Sequence, residues 1–194
     1  LQGANLCGSN LQGANLRGAN LAHANLSWAN LSGTRMSGVA LDRTQLADVD
    51  LEGAYLNGVD FRGMDLSGVN LHQARLNGAR LDMVNFTAAN LSQATLRRAS
   101  LKGTNLTGAN LAGAVLWYAQ MDGVDLSRAD LSHANLAGST LTAVAIAGAE
   151  FTDAILPATA RVGLYELAAG NTRWSSRPTR DTLDQSQFVD QLVF

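Results

Sequence analysis

From Leu1 to Phe151 every fifth residue is large and apolar, through 31 consecutive positions with no insertion or deletion. Leu holds 25 of them, and Met36, Phe61, Phe86, Met121, Ile146 and Phe151 hold the others. Two residues ahead of each, a small or medium residue recurs, running from Ala4, Ser9 and Ala14 to Ala154. Self-similarity at a fixed period marks a repeat architecture. A period of five matches neither the 3.6 of a helix nor the 2 of a strand. Two inward positions per five residues, with a turn between them, suit a coil of four sides, its interior filled by alternating small residues and Leu. Residues 20 apart then stack. At a strand spacing of roughly 4.8 Å the repeats build nearly eight coils and a rod on the order of 35 Å long. The unbroken register predicts a straight prism without projecting loops.

The remaining positions fit such a coil. The second residue after the central one is Gly in 17 of the 31 repeats, as a type II turn with one positive φ prefers. Where Trp28, Arg43, Met83, Arg98 and Tyr118 replace it, a different turn type is expected. The residue before the central Leu is often Asn or Asp. Stacked coil after coil, these side chains are expected to form hydrogen-bonded ladders.

Ala4-Asn5-Leu6, Ala14-Asn15-Leu16, Ala19-Asn20-Leu21 and Ala109-Asn110-Leu111 repeat an A-(N/D)-L-x-x pattern. In this the chain resembles the pentapeptide-repeat family, a bacterial and often cyanobacterial type. The resemblance implies an all-β fold, a right-handed quadrilateral parallel β-helix, with Leu and the preceding small residue inside. It spans residues 1–155. Residues 156–194, which hold both prolines, Pro157 and Pro178, form a tail expected to be partly helical. Residues 158–169 read as a short helix closed by Gly170. Residues 181–193 read as an amphipathic helix carrying Leu183, Phe188 and Leu192, with Val189 and Val193 beside them. These helices are expected to cap the open end of the core; alternatively Leu183, Phe188 and Leu192 form a homodimer, as C-terminal ends do in some members. Asn171-Thr172-Arg173-Trp174 is similar to segments that follow the last coil in some cyanobacterial members.

Composition narrows the functions. The formal net charge is −2, from 14 basic and 16 acidic side chains, which argues against a bulk pull toward nucleic acid or anionic membrane. No run of 18 apolar residues occurs, so no membrane span is expected. The single Cys7 excludes an intrachain disulfide framework and fits a reducing, cytoplasmic compartment, although a secreted repeat protein without bridges fits too. Leu1 already lies inside the repeat, whereas solenoids need polar end caps. The chain is therefore expected to be a fragment of a larger protein, such as a signalling protein.

No catalytic constellation is visible, and an enzyme is not expected. His23, His72 and His133 are too few and too scattered for a metal site. Cys7 has no His within a coil of it, and the glycines are turn glycines rather than a phosphate loop. No cofactor is implied. The carboxylates are expected to face solvent.

Counting modulo 20 assigns each repeat to a side. The side centred on Leu16, Met36, Leu56, Leu76, Leu96, Leu116 and Leu136 carries Arg17, Arg35, Tyr55, Arg75, Arg97, Arg98, Trp117 and Tyr118 and no carboxylate. Arg97 over Trp117, Arg98 over Tyr118, and Tyr55 between Arg35 and Arg75 are expected cation–π pairs. The neighbouring side carries Asp50, Glu52, Asp130, Glu150 and Asp153 and no Lys or Arg. A third alternates sign along Asp42, Arg62, Asp82, Lys102 and Asp122, and the fourth sets Asp48, Asp65 and Asp125 against Arg128. Arg, Tyr and Trp are enriched at interface hot spots. The basic, aromatic side is therefore the candidate interaction face of a non-enzymatic protein–protein interaction or scaffold module. The alternatives are a DNA-mimicking inhibitor of a type II topoisomerase, as in quinolone-resistance members of the family, and nucleic-acid binding through the arginines and aromatics. The first needs a long acidic surface, and the second fits a groove better than a flat side.

Overall fold

The structure is a computed structural model and describes residues 1–189. The same two contacts recur in most of the repeats. A tight turn is closed locally, as where the Ala4 N–H donates to the Leu1 carbonyl at 3.1 Å. A single residue then bridges in parallel to its counterpart one coil on, Asn5 to Asn25, Asn10 to Asn30, and so through Asn135 to Ile155. The 20-residue stacking expected from the period is thus the observed one. Extended pairing is limited to one residue per side, so the coils hold bridges and turns rather than long strands. The central Leu residues and the small residues before them fill the interior; Leu21, Ala24, Leu26 and Leu31 are buried, as are most of their equivalents down to Ala154 and Leu156, while Met64 and Leu141 are partly buried.

The turns depart from expectation in an informative way. The residue two after the centre has positive φ in all 31 repeats, at +61° to +71° for Gly and at +52° to +60° for the others. Trp28, Arg43, Met83, Arg98 and Tyr118 adopt it at φ 59°, 53°, 60°, 56° and 58°, so no different turn sign replaces the glycine one. The left-handed region costs a side chain about 1–2 kcal/mol. In most repeats this geometry lets the residue's N–H donate to the next coil, as Trp28 does to the Ala47 carbonyl at 2.9 Å, whereas Arg43 and Asp48 hold it within the closed turn alone. The closed turn and the coil pairing together outweigh local preference.

The prism is also not uniform. Between residues 38–49 and 57–70 the inter-coil bonds lapse. No bridge joins Ala40 to Asp60 or Gln45 to Asp65. The N–H groups of Leu41, Arg43, Leu46 and Asp48 lack the donation that their equivalents Phe61, Gly63, Leu66 and Gly68 make to the coil below. The turns within each coil remain closed. The stack therefore opens on two adjacent sides and stays closed on the other two, where Tyr55 bridges Arg35 and Asn70 bridges Asp50.

The tail differs from its expected form. β1 (Ile155–Pro157) extends the last coil, a 3₁₀ turn (Ala158–Ala160) follows, and α1 spans Arg161–Leu167. α2 (Thr179–Asp184) ends early, and β2 (Gln187–Val189) pairs in parallel with β1. Phe188 is thus in a strand opposite Leu156, not on the helix expected over 181–193. The exposed edge of the last coil offers unpaired backbone, and the Gln187 N–H takes the Ala154 carbonyl at 2.7 Å; satisfying that edge outweighs helical periodicity. Leu164 and Leu183 are buried and belong to the same hydrophobic core as Leu156. Leu192 and Val193 lie outside the described residues.

Candidate functional site

The basic, aromatic side is organised by stacking. Tyr55 bridges both Arg35 and Arg75, and its ring receives their guanidinium groups at 5.9 and 4.7 Å from the centroid. Arg97 lies over the Trp117 ring at 4.2 Å. These follow from the modulo-20 register, since a flat side offers each long side chain the neighbour one coil away. The Arg98–Tyr118 pair is not formed. The Tyr118 ring lies instead over Gly138, where a β-carbon would meet its Cε1 at 2.5 Å. Arg17 stands exposed toward the other end of this side, its N–H held by Asn15 Oδ1 at 3.3 Å. Five of the eight expected residues thus enter ring stacks, and Arg17, Arg98 and Tyr118 do not.

The acidic side is less open than expected. Asp130 and Glu150 are buried. The tail crosses the last coils here: Thr172 Oγ1 donates to Glu150 Oε2 at 3.1 Å, Ser175 Oγ donates to the same oxygen, and Thr152 N–H and Oγ1 donate to Oε1 at 3.0 and 2.5 Å. Burial opposes ionisation of Glu150, but the hydroxyls of Ser175 and Thr152, with the Thr152 N–H and the Thr172 hydroxyl, outweigh it and hold its pKa below the ordinary value. Trp174 Nε1 donates to the Arg128 carbonyl at 2.9 Å, and Arg173 donates to the Gly108 carbonyl while lying 4.5 Å over the Trp174 ring. The 171–174 segment is thus a strap over the coils.

Polar ladders run where expected: Asn70 Nδ2 donates to Asp50 Oδ1 at 3.0 Å and Asn90 Nδ2 to Asn70 Oδ1 at 3.2 Å. Many of these oxygens also accept the N–H two residues on, as Asn30 does from Ser32 at 2.9 Å. The alternating-sign column is broken at the open seam. Arg62 turns from Asp42 to Asp60, with Nη2 to Oδ2 at 2.7 Å, and this bond leads the effects that lower the Asp60 pKa. His133 lies 3.6 Å from Asp153 one coil on, a proximity missed by looking only for metal spacing. Among the described residues no group of three His, Cys, Asp or Glu could hold a metal ion. No helix among them is long and apolar enough to cross a membrane.

A family model for pentapeptide repeats in 8 copies matches residues 1–38, 44–82, 84–117 and 119–156. The chain belongs to the pentapeptide repeat family. Its members fold as right-handed quadrilateral β-helices and are in general structural or interaction modules. Among solved structures, a pentapeptide repeat protein from the Arabidopsis thaliana thylakoid lumen is 35% identical, with TM-score 0.64, covering 66% of this chain and 89% of that one. HetL, a pentapeptide repeat protein involved in heterocyst differentiation regulation from the cyanobacterium Nostoc, is 26% identical over 96% of this chain and 88% of its own, with TM-score 0.44. A trypsin-treated form of QnrB1, a plasmid-mediated fluoroquinolone resistance protein, is 19% identical with TM-score 0.54, over 79% of this chain and 77% of its own. A search of curated protein sequences returned no match.

Proposed function

We propose that this chain is a non-enzymatic protein-binding scaffold whose working surface is the side carrying Arg17, Arg35, Tyr55, Arg75, Arg97, Arg98, Trp117 and Tyr118. The observation that carries this reading is the pair of stacks, Arg35–Tyr55–Arg75 and Arg97–Trp117, on a side without a carboxylate. Rings and guanidinium groups held by one another lose little side-chain freedom on binding, and such residues carry most of the energy at interfaces. The partner is a protein that presents carboxylates. The tail acts as a cap at the C-terminal end of the coil, a reading supported by the burial of Leu183. Phe188 joins it by packing beside Tyr165, with ring centroids 6.2 Å apart.

A DNA-mimicking role gains less support. Burial of Asp130 and Glu150 leaves only Asp50, Glu52 and Asp153 open on the acidic side, too few to imitate a run of phosphates. The likeness to QnrB1 extends to the fold alone. The test is a pull-down with the chain beside an Arg97→Glu/Trp117→Ala variant that keeps the wild-type melting temperature. Partners retained by wild type and lost from the variant locate the face; partners held equally by both refute it. Inhibition of gyrase supercoiling at micromolar protein would move the topoisomerase reading ahead.

A further inference from the structure

Of the 31 residues two places before a central apolar residue, Met64 alone is longer than Val. Its neighbours in the stack are Thr44 on one side and Val84 on the other. Thr44 is held toward the coil above, its Oγ1 donating to the Leu21 carbonyl at 2.9 Å. Met64 is held to the coil below, its carbonyl accepting the Asn85 N–H at 3.0 Å. Extra volume in a close-packed slot forces backbone apart, and here it separates the two coils at the corner. Met64 is only partly buried as a result.

What opens is a cleft of about 620 Å³ lined by Asp42, Arg43, Leu46, Asp48, Met64 and Asp65 among others. It continues around the corner into a recess of about 460 Å³ that shares Asp42, Arg43 and Met64 and reaches Leu41 and Asp60. Both volumes lie in the range of ligand sites, roughly 300–1,000 Å³. The lips are unlike an ordinary pocket wall. One carries the Leu41, Arg43, Leu46 and Asp48 N–H groups, and the other the Asp60 and Asp65 N–H groups, each without the inter-coil acceptor used by its equivalent elsewhere. The carbonyls of Val39, Thr44, Asp60, Arg62, Asp65 and Ser67, which those bonds would engage, are released with them.

We propose that this seam is a docking site for an extended polypeptide segment of a partner, bound by backbone pairing to the separated coils. An extended peptide backbone offers donors and acceptors on both of its edges, as these two lips require. Addition of a strand to such an edge is an established mode of peptide recognition. Met64 supplies an adaptable apolar seat for an inward side chain, and the rim charges of both signs, Asp42, Arg43, Asp48 and Arg62, select flanking residues. The site lies on other sides of the prism than the basic, aromatic one and does not depend on it.

The test begins with amide hydrogen exchange on the full chain. The amides of Leu41, Arg43, Leu46, Asp48, Asp60 and Asp65 should exchange about a hundredfold faster than Phe61, Gly63, Leu66, Gly68, Arg80 and Asn85, their equivalents one coil on. The binding probe is an array of overlapping peptides of about ten residues cut from the chain's own repeats, which carry an apolar residue every fifth position. At least one should bind and slow exchange of the seam amides about tenfold. Met64→Val, which installs the residue found at Val39, Val49, Val59 and Val69, should close the lips, protect the same amides and abolish that binding. The Arg97→Glu/Trp117→Ala variant should bind the peptide as wild type does. Protection of the seam amides in the free chain overturns the proposal. So does an array in which no peptide protects them, or equal binding by Met64→Val.

Discussion

The Tyr118 ring lies flat enough on Gly138 that a β-carbon there would stand 2.5 Å from Cε1 and 2.6 Å from Cδ1. Tyr118 itself occupies the left-handed region at φ 58°, which directs its ring down the column onto the next turn. Two repeats are thus coupled: one spends conformational energy on an aromatic residue where glycine is usual, and the other keeps glycine so that the ring has a seat.

Gly138→Ala should therefore cost more than an ordinary glycine replacement in this fold. Gly58 has nearly the same φ, +68° against +69°, and open space where its β-carbon would be. Gly58→Ala should lose about 0.5–1 kcal/mol net, the left-handed strain less the gain from a stiffer unfolded chain, and Gly138→Ala about 1–3 kcal/mol more for the displaced ring. In a Tyr118→Ala background the two replacements should become equal. Urea denaturation of the four variants checks this, and equal losses in the wild-type background would remove the ring contact from the account.

The converse substitution should stabilise. Ala88 holds φ 57° with an exposed methyl, and its N–H donates to the Thr107 carbonyl at 3.0 Å. Ala88→Gly removes about 1–2 kcal/mol of left-handed strain and gives back about 0.5–1 kcal/mol through the freer unfolded chain. The expected net gain is about 0.5–1 kcal/mol, read as a higher urea midpoint with an unchanged slope. A lower midpoint would mean that the stack, not glycine, best tolerates this geometry.

These two cases show what the sequence could and could not convey. The five-residue period carried the coil, the 20-residue stacking and the inward residues, because each repeat states the same local preference and the stack sums them. The period did not reveal that Trp28 and Tyr118 share the glycine turn, since the carbonyls that pair their N–H groups there belong to another coil. Phe188 and Val189 were misplaced on a helix for a related reason: the edge of Ile155–Pro157 that they pair with is distant in the chain. Among the stacks, Arg97–Trp117 was legible from spacing. Arg98–Tyr118 was not, because spacing cannot choose between a cation above and a glycine below. Met64 was visible in the sequence as the one oversized residue in a small-residue column, and its consequence became clear only from the missing bonds beside it.

The Arg97–Trp117 stack should contribute modestly and measurably. With the guanidinium carbon 4.2 Å from the ring centroid on an open side, the attraction is about 0.5–1 kcal/mol. Arg97→Ala should lower stability by that amount and Arg97→Lys by less, because an ammonium lacks the planar group that stacks on the indole. Trp fluorescence should report a changed environment for Trp117 in Arg97→Ala. An Arg97→Ala variant as stable as wild type, with unchanged emission, would show that the stack is absent in solution and would weaken the proposed interaction face.

The strap over the last coils should respond to acid through Glu150. Its pKa is lowered in the folded chain from a reference of 4.5, since the hydroxyls and N–H that hold the carboxylate outweigh its burial. A carboxyl with a depressed folded pKa adds stability that is fully present above its unfolded pKa and is lost as pH falls through the folded one. The loss attributable to Glu150 should therefore begin near pH 4.5 and grow below it. Asp60, Asp122 and Asp125 are lowered too, so the wild-type profile alone does not isolate it. Glu150→Gln should cost about 1–3 kcal/mol at neutral pH, the worth of hydrogen bonds to a charged group. That cost should shrink as the pH drops below 4.5, because wild type loses its carboxylate while the amide does not change. Melting temperatures of the two proteins between pH 7 and pH 3 should converge. Parallel curves across that range would mean that Glu150 keeps its proton state as the pH falls, and that Thr172 and Ser175 are held by packing rather than by charge.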